Sequence, residues 1–325
     1  MSSKVENALR DLMDAPEIEF NESNLASHGL PSGQTACFRY DESAGVLLVS
    51  IGIGGLASGH GELTPFLAMT ANHAGLLTAG GALGIDPDTH EVFLSRAFHL
   101  NPDSAEHRDS LSGLPVFSFS AAALQEWLSA ANSLHYNPKI QRVSSSRFSN
   151  RDLATAASET HAKQAAESEP EIDSDSQAKL QREIDQALLA LNLAPQAFDE
   201  DLAIYLHQDD LAVQIRYDIE MQELVLIGVL RDTHFDEAME KSRDWLALNL
   251  HVAKTGNCSL GIVADKPLRL TLTHAVALEA LLPDTQRLAN IIGGFWKNCL
   301  AVREEITDSS TSEAFSVPPN VSQFV

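Results

Sequence analysis

The sequence has few cysteines, few basic residues and no long apolar run. Its three cysteines, Cys37, Cys258 and Cys299, are far apart and form no CxxC pair, so neither a zinc site nor a disulfide framework is predicted. No segment approaches the roughly 18 apolar residues that a membrane-spanning helix needs. The first ten residues contain no apolar stretch typical of a cleaved signal peptide. We therefore expect a soluble protein in a reducing compartment.

Acidic residues outnumber basic ones, with 45 Asp and Glu against 22 Lys and Arg and a formal net charge of −23. Such a surface repels nucleic acid and anionic membranes, because both require a basic footprint on the protein. The charge is compatible with a partner that carries positive charge, and equally with a protein that needs it for solubility alone. The hydrophobic content of 44% is typical of a folded globular chain.

The chain repeats itself at a fixed interval. The tripeptide Arg-Tyr-Asp occurs at 39–41 and again at 216–218, each time just before an apolar run. The tripeptide Leu-Gly-Ile occurs at 83–85 and again at 260–262. The interval, here called the repeat offset, is the same for both, since 216 − 39 and 260 − 83 each equal 177. Two matches at one offset predict two copies of one domain in tandem. Strand alternation further predicts that each tyrosine faces the side opposite to its neighbouring Arg and Asp.

The hydrophobic periodicity predicts the same order of elements in both copies. In the first copy, after an amphipathic helix, we predict strands around 17–20, 35–41, 46–53 and 90–98, and helices around 62–79 and 119–135. In the second copy, again after an amphipathic helix, we predict strands around 202–206, 211–217, 224–230 and 267–273, and helices around 235–253 and 284–305. Residues 41–45 and 218–222 are predicted to form hairpin loops, and residues 83–85 a turn. The fold class is therefore α+β, with two tandem copies of an antiparallel sheet that carries helices, in the order α-β-β-β-α-β-β-α.

Composition places the domain boundaries. We predict a first α+β domain over 1–140 and a second over 177–306. Between them, 141–176 is rich in Ser, Ala, Glu and Asp and has the composition of a linker. The last segment, 307–325, is predicted to be a flexible tail.

One segment could carry chemistry, the glycine-rich stretch from Gly52 to Gly61, which follows an apolar strand and precedes a helix. That context suits a phosphate-binding loop. However, Ala57 stands where a dinucleotide motif needs its third glycine, and no lysine follows Gly61. A flexible turn is the other interpretation. The histidines fall in no metal-ligand spacing. We therefore predict no enzyme, no catalytic residues, no cofactor and no metal.

A small acidic domain with this element order and no catalytic residues resembles the class I effector chaperones of bacterial type III secretion systems, the Tir chaperone (CesT) family. The resemblance covers about 1–140 and 177–306 and rests on element order, domain length and acidity. It implies a bacterial cytoplasmic protein that binds the N-terminal segment of a secreted effector and keeps it soluble and competent for export. The secretion apparatus is a further implied partner. Family members are usually homodimers of one domain, so the two copies imply an intramolecular pseudo-dimer in a monomeric chain.

The same resemblance implies two sets of site residues. The partner-binding set lies on the first helix of each copy and on the segment that follows it in the first copy: Val5, Leu9, Leu12, Ile18, Phe20, Leu180, Ile184, Leu188 and Leu191. The set at the interface between the domains lies on the second helices: Leu63, Phe66, Leu67, Met69, Met239, Trp245 and Leu246. Apolar stripes on helices usually face their own core, which is the alternative for the first set.

Two other functions are open at this point. A nucleotide-binding enzyme or regulator would use the loop from Gly52 to Gly61. A protein-interaction module of the same fold, with no role in export, would need only an adhesive surface.

Overall fold

The computed structural model describes residues 2–56, 63–73, 78–100, 107–132, 174–208, 211–219, 222–250, 258–263, 267–278 and 285–308. In the first half, the helices are α1 (Ser2–Met13), α2 (Leu63–Ala71) and α3 (Leu114–Asn132). The strands of this half are β1 (Leu25–Gly29), β2 (Thr35–Asp41), β3 (Val46–Gly55), β4 (Ala82–Ile85) and β5 (Glu91–His99). In the second half, the helices are α4 (Ser174–Ala190), α5 (Phe235–Leu250) and α6 (Thr285–Asp308). Its strands are β6 (Ala203–Gln208), β7 (Leu211–Asp218), β8 (Glu223–Thr233), β9 (Ser259–Val263) and β10 (Leu268–Ala277).

Each half forms one five-stranded antiparallel sheet, and the two sheets have the same topology. The strand orders are β1-β2-β3-β5-β4 and β6-β7-β8-β10-β9. Helix α3 packs on β3, and α6 packs on β8 in the corresponding position. The predicted α+β class and the order α-β-β-β-α-β-β-α are therefore confirmed in both halves.

Local sequence explains the first hairpin, which occupies the predicted 41–45. The Asp41 carboxylate accepts hydrogen bonds from the backbone N–H of Ser43 and of Ala44, at 3.0 Å each. Gly45 closes the loop with φ of 61°, in the left-handed region that favours glycine. The face prediction for the preceding tripeptide is also confirmed, since Tyr40 is buried while Arg39 and Asp41 are exposed.

The structure corrects three predicted elements. The helix predicted around 62–79 ends at Ala71, and residues 72, 73, 78 and 79 are not α-helical. Residues 17–20 form no strand, and the first strand is β1, at Leu25–Gly29. A turn intervenes because the Asn21 side chain accepts from the backbone N–H of Ser23 and of Leu25. Residues 83–85 are not a turn but part of β4, which pairs with β5. Four consecutive buried residues in β4 show no alternation, which explains why periodicity did not reveal it.

The halves pack against each other through their second helices and inner edge strands. Helix α5 of the second half contacts β4 of the first, and α2 of the first half contacts β9 of the second. The two helices also contact each other. Buried apolar residues from both halves form one continuous cluster, so the halves share a hydrophobic core.

The described elements of the first half end at Asn132, and those of the second begin at Ser174. Helix α4 thus starts three residues before the predicted second domain, and α6 extends two residues beyond its predicted end at 306. Most of the predicted linker and all of the tail after residue 308 lie outside the described residues. The boundaries of the domains stay a prediction.

Candidate functional site

Two buried asparagines tie the halves together. Asn72, just after α2, donates from its side-chain amide to the carbonyl oxygens of Leu83 (2.9 Å) and Leu260 (3.2 Å). Asn249, on α5, donates to the same two oxygens at 3.0 and 2.9 Å. Each side-chain oxygen accepts a backbone N–H of its own half, Leu83 for Asn72 (2.6 Å) and Leu260 for Asn249 (2.7 Å). The network is reciprocal, and each member in the first half has its counterpart one repeat offset later in the second.

Glycines let the backbones approach at the same place. A Cβ on Gly84 in β4 would lie 2.7 Å from the backbone nitrogen of Leu250, at the end of α5. A Cβ on Gly261 in β9 would lie 2.8 Å from the backbone nitrogen of His73, after α2. Real Cβ atoms do not come so close to backbone. The Gly residue of each Leu-Gly-Ile tripeptide is therefore required for contact between the halves.

An ion pair also crosses the interface, between Arg96 on β5 and Glu223 at the start of β8. Both side chains are buried, at 5% and 4% exposure. Arg96 also donates to the carbonyl oxygen of Ala79, while its Nε has no hydrogen-bond partner among the described residues. Arg96 borders a cavity of about 20 Å³, shared by both halves, which has room for about one water molecule.

The predicted interface residues lie on α2 and α5, the helices that contact each other across the halves. Phe66 makes an edge-to-face contact with Phe235 of the other half, with ring centroids 5.2 Å apart. The remaining members divide by burial as follows: Met69, Met239, Trp245 and Leu246 are buried, and Leu63 and Leu67 are half-buried. Apart from Phe66, their individual role at the interface stays a prediction.

The predicted partner-binding residues lie inward. Fully or nearly fully buried are Val5, Leu9, Ile18, Leu180, Ile184 and Leu188. Leu12, Phe20 and Leu191 are half-buried and pack against the same core. In this structure these side chains stabilise their own half, as expected for an apolar helix stripe. Partner binding by them stays a prediction that would require α1 or α4 to move.

Exposed apolar side chains lie elsewhere. Those with the largest exposure are Phe119 on α3 (57%), Leu189 on α4 (58%) and Tyr205 on β6 (48%). Tyr205 lies on an outer edge strand, because β6, like β1, pairs along one side only within the part of the chain that the structure describes. The Tyr205 hydroxyl accepts a hydrogen bond from Gln214 on β7 at 3.0 Å. The corresponding position in β1 is Ser27, since Ser27 pairs with Cys37, Tyr205 pairs with Gln214, and Gln214 follows Cys37 by the repeat offset.

The described part of the glycine-rich segment is strand rather than loop. Strand β3 continues to Gly55, two residues beyond its predicted end. Gly54 pairs with Val92 and Gly55 with Glu91, after a bulge. The Gly55 carbonyl oxygen also accepts from the Asn132 side chain at 2.9 Å. The rest of the segment, 57–61, lies outside the described residues.

Over the described ranges, no three His, Cys, Asp or Glu side chains are grouped so that they could hold a metal ion. In the same ranges, no helix is both long and apolar enough to cross a membrane.

The sequence did not reveal Asn72, Asn249, Arg96 or Glu223 as interface residues. The asparagines carried a signal that could have identified them, because they are separated by the same repeat offset as the tripeptides. The ion pair carried none, because its members are 127 residues apart and neither belongs to a repeated motif.

Comparison with known proteins gave a structural likeness and no sequence family. No protein-family model matches the chain, and no curated protein matches it. Among solved structures, the chain is similar to one described as the structure of the HopA1-SchA chaperone-effector complex. The similarity has 21% identity and a TM-score of 0.34, and it covers 41% of this chain and 99% of the other. The solved structures thus offer a weak structural neighbour from a chaperone–effector complex, and the comparisons show no family for this chain.

Proposed function

We propose that this protein is an effector chaperone of a type III secretion system. It binds the N-terminal segment of a secreted effector, keeps that segment soluble and competent for export, and catalyses no reaction. The two halves act as a pseudo-dimer within one chain, in the bacterial cytoplasm. A protein-interaction role outside secretion is the alternative that the test below separates.

The observation that carries the proposal is the pairing of two α-β-β-β-α-β-β-α units through their second helices. This is the arrangement that the sequence resemblance to dimeric class I chaperones led us to expect, with both units supplied by one chain. The net charge of −23 supports a binding role without nucleic acid or anionic lipid. The buried interface leaves the outer strands and outer helices of both halves for a client.

The outer edge of the second sheet is the binding surface that we propose. Strand β6 can accept a further strand, and main-chain hydrogen bonds along an open edge provide affinity for an extended peptide. The half-exposed ring of Tyr205 gives this edge an aromatic anchor. Because the first half has Ser27 in the corresponding position, we expect β6 to contribute more to client binding than β1.

The test is capture from the native bacterium. We would express the tagged full chain under conditions that induce secretion, purify it, and identify co-purifying proteins by mass spectrometry. We expect secreted proteins, held through their N-terminal regions. A second purification would use Tyr205→Asp, which places a charge on the open edge, and a matched control, Ser27→Asp, on the other open edge. We expect the Tyr205 variant to lose at least about tenfold of the client and the Ser27 variant to retain it.

Three results would contradict parts of this proposal. Recovery of the chain alone from actively secreting cells would contradict the chaperone function. Stable capture of proteins that are not secreted would favour an interaction module outside export. Equal loss in the Tyr205 and Ser27 variants, with unchanged melting temperatures, would contradict the preference for the second edge.

A separate measurement addresses the nucleotide alternative. A ligand that binds only the folded state raises the melting temperature to an extent set by its concentration relative to Kd. We expect no shift with millimolar ATP, GTP or NAD. A reproducible rise, abolished by a substitution in the glycine-rich segment, would favour the nucleotide-binding function.

A further inference from the structure

The contacts between the halves are of two kinds. Contacts of the first kind are reciprocal, since each half makes the same contact to the other. Asn72 reaches Leu260 as Asn249 reaches Leu83. Gly84 approaches the end of α5 as Gly261 approaches the end of α2. Such reciprocal contacts are those of an isologous, two-fold interface. They do not distinguish the first half from the second, so by themselves they would equally allow two first halves, or two second halves, to pair.

The second kind of contact differs between the halves, and the Arg96–Glu223 pair is its clearest case. Strands β3 and β8 correspond at the repeat offset, because their hairpins pair Asp41 with Val46 and Asp218 with Glu223. Val46 is therefore the counterpart of Glu223. The counterpart of Arg96 follows from the neighbouring strand.

Arg96 lies opposite Val49 on β3, and His274 lies opposite Leu226 on β8. Val49 and Leu226 are separated by the repeat offset, so His274 is the counterpart of Arg96. Both His274 and Val46 are buried, at 8% exposure each. The two-fold interface has two equivalent positions. One is occupied by Arg96 and Glu223, and the other by their counterparts His274 and Val46.

We propose that the Arg96–Glu223 pair selects pairing of the first half with the second and disfavours pairing of like halves from two molecules. In a pair of first halves, each Arg96 would face Val46 and lose its carboxylate partner. In a pair of second halves, each Glu223 would face His274 instead of a guanidinium. Burying a charge without its partner is strongly unfavourable, and an unfavourable contact in the wrong complex is an effective source of specificity.

Two further side-chain contacts cross between the halves. The Arg287 side chain of α6 donates to the carbonyl oxygen of Leu100 in the first half, at 3.0 Å. His73 Nδ1 lies 3.2 Å from the hydroxyl oxygen of Thr271. These contacts are less decisive, because neither removes a buried charge from its partner when it is lost.

Pairing of like halves is an exchange in which two unlike pairs give one pair of first halves and one pair of second halves. An unfavourable contact in only one of the two like pairs is therefore sufficient to shift this equilibrium toward unlike pairs. The covalent connection favours pairing within the chain in any case, so the test must remove that connection after folding.

The experiment uses the full chain with a protease site placed between residues 141 and 173. The folded protein is cleaved, incubated, and analysed by native mass spectrometry, in which the three possible pairs differ in mass. Mixing with isotopically labelled cleaved protein establishes that the halves exchange. The variant Arg96→His with Glu223→Val makes this contact the same, His against Val, in every possible pair.

For the wild type we expect unlike pairs to exceed like pairs by more than about tenfold after exchange. For the double variant we expect a shift toward random assortment, in which about half of the pairs are unlike. Wild-type halves that assort at random would overturn the proposal. A double variant that stays as selective as the wild type would also overturn it.

Should the double variant not fold, Glu223→Gln alone is a milder change that keeps the shape of the side chain and removes its charge. We expect like pairs to increase several-fold in this variant as well. The wild-type measurement can overturn the proposal by itself, since random assortment of the wild-type halves would show that no contact at the interface selects unlike pairs.

Discussion

Asn72 and Asn249 donate to the same two acceptors, the carbonyl oxygens of Leu83 and Leu260, at distances between 2.9 and 3.2 Å. Each carbonyl thus receives one bond from its own half and one from the other. Because all four groups are buried, no side-chain amide can be removed without leaving backbone groups with fewer hydrogen bonds. The two halves are held by a shared polar centre within an apolar core.

Replacing either asparagine by alanine should lower the free energy of unfolding by about 1–3 kcal/mol, the usual cost of leaving a buried polar group unsatisfied. Urea denaturation monitored by circular dichroism would measure it. The double variant should lose less than the sum of the single losses, since both side chains serve the same acceptors. Asn290→Ala on the exposed face of α6 is the matched control, with a change within about 0.5 kcal/mol. Equal losses at the three positions would contradict a special role for the buried pair.

The glycines of the interface give a second prediction. Gly84→Ala and Gly261→Ala should each destabilise the protein by about 1–3 kcal/mol, because the added methyl group would push against backbone of the other half. Gly29→Ala in β1 is the control, since a Cβ there meets no atom of the described residues within 4 Å. Thermal unfolding would show the difference. A melting temperature for Gly84→Ala as high as that for Gly29→Ala would mean that the halves are further apart than described.

The stability of the fold should depend on the ionisation of His99. Burial lowers the pKa of His99 to about 3, with further lowering by the neighbouring His274, Arg287 and Arg96. Its Nε2 is buried without a hydrogen-bond partner in the part of the chain that the structure describes. Between pH 6.5, where histidine titrates in the unfolded chain, and pH 3, the unfolded state binds a proton that the folded state does not. Stability is therefore lost as the pH falls through this range, by at most about 1.4 kcal/mol per pH unit from this residue.

The comparison is with His99→Asn, which cannot titrate. Urea denaturation at several pH values between 4.5 and 7.5 should give a shallower pH dependence for the variant than for the wild type. Near pH 7.5 and above, the free energies of unfolding of the two proteins should change with pH in the same way and differ only by a constant amount. Parallel curves for the two proteins would show that His99 is protonated equally in the folded and unfolded states.

The cysteines should differ in reactivity. Burial raises the pKa of Cys258 to about 12 and also raises the pKa values of Cys299 and Cys37, but of the three thiols only Cys37 is exposed, on β2. A thiol reagent such as DTNB at pH 8 should react with one thiol in the native protein and with three after unfolding. Cys37→Ser should abolish the fast reaction. Rapid reaction of two or three thiols in the native protein would indicate opening of the second half.

Much of the fold could be predicted from the sequence because the chain contains it twice. A single Leu-Gly-Ile tripeptide carries little information, but its recurrence at the offset of the Arg-Tyr-Asp pair fixed the alignment of the halves. Hairpin loops were predictable from local residues such as Asp41 and Gly45. The prediction failed at β4, which is short and entirely buried, and at residues 17–20, where the turn at Asn21 delays the first strand until Leu25.

The site was less predictable, for a physical reason. Hydrophobic periodicity identifies which residues become buried, but it does not distinguish a side chain that packs in the core of its own domain from one that binds a partner. Leu9 and Leu188 satisfied the pattern and lie in the core. Contacts between the halves depend on which residues meet across long sequence separations, as for Arg96 and Glu223, and a linear pattern does not contain that information.

The covering of β4 by α5 has a consequence for how the protein is made. Strand β4 is complete once Ile85 has been added, whereas α5 is complete only when synthesis has reached Leu250. At a synthesis rate of about 5–20 residues per second, roughly 10–30 s separate the two events. During that interval the nascent first half carries an uncovered strand edge of the kind that pairs readily with other chains. The second half therefore also protects the first, and it is synthesised only after the first half is complete.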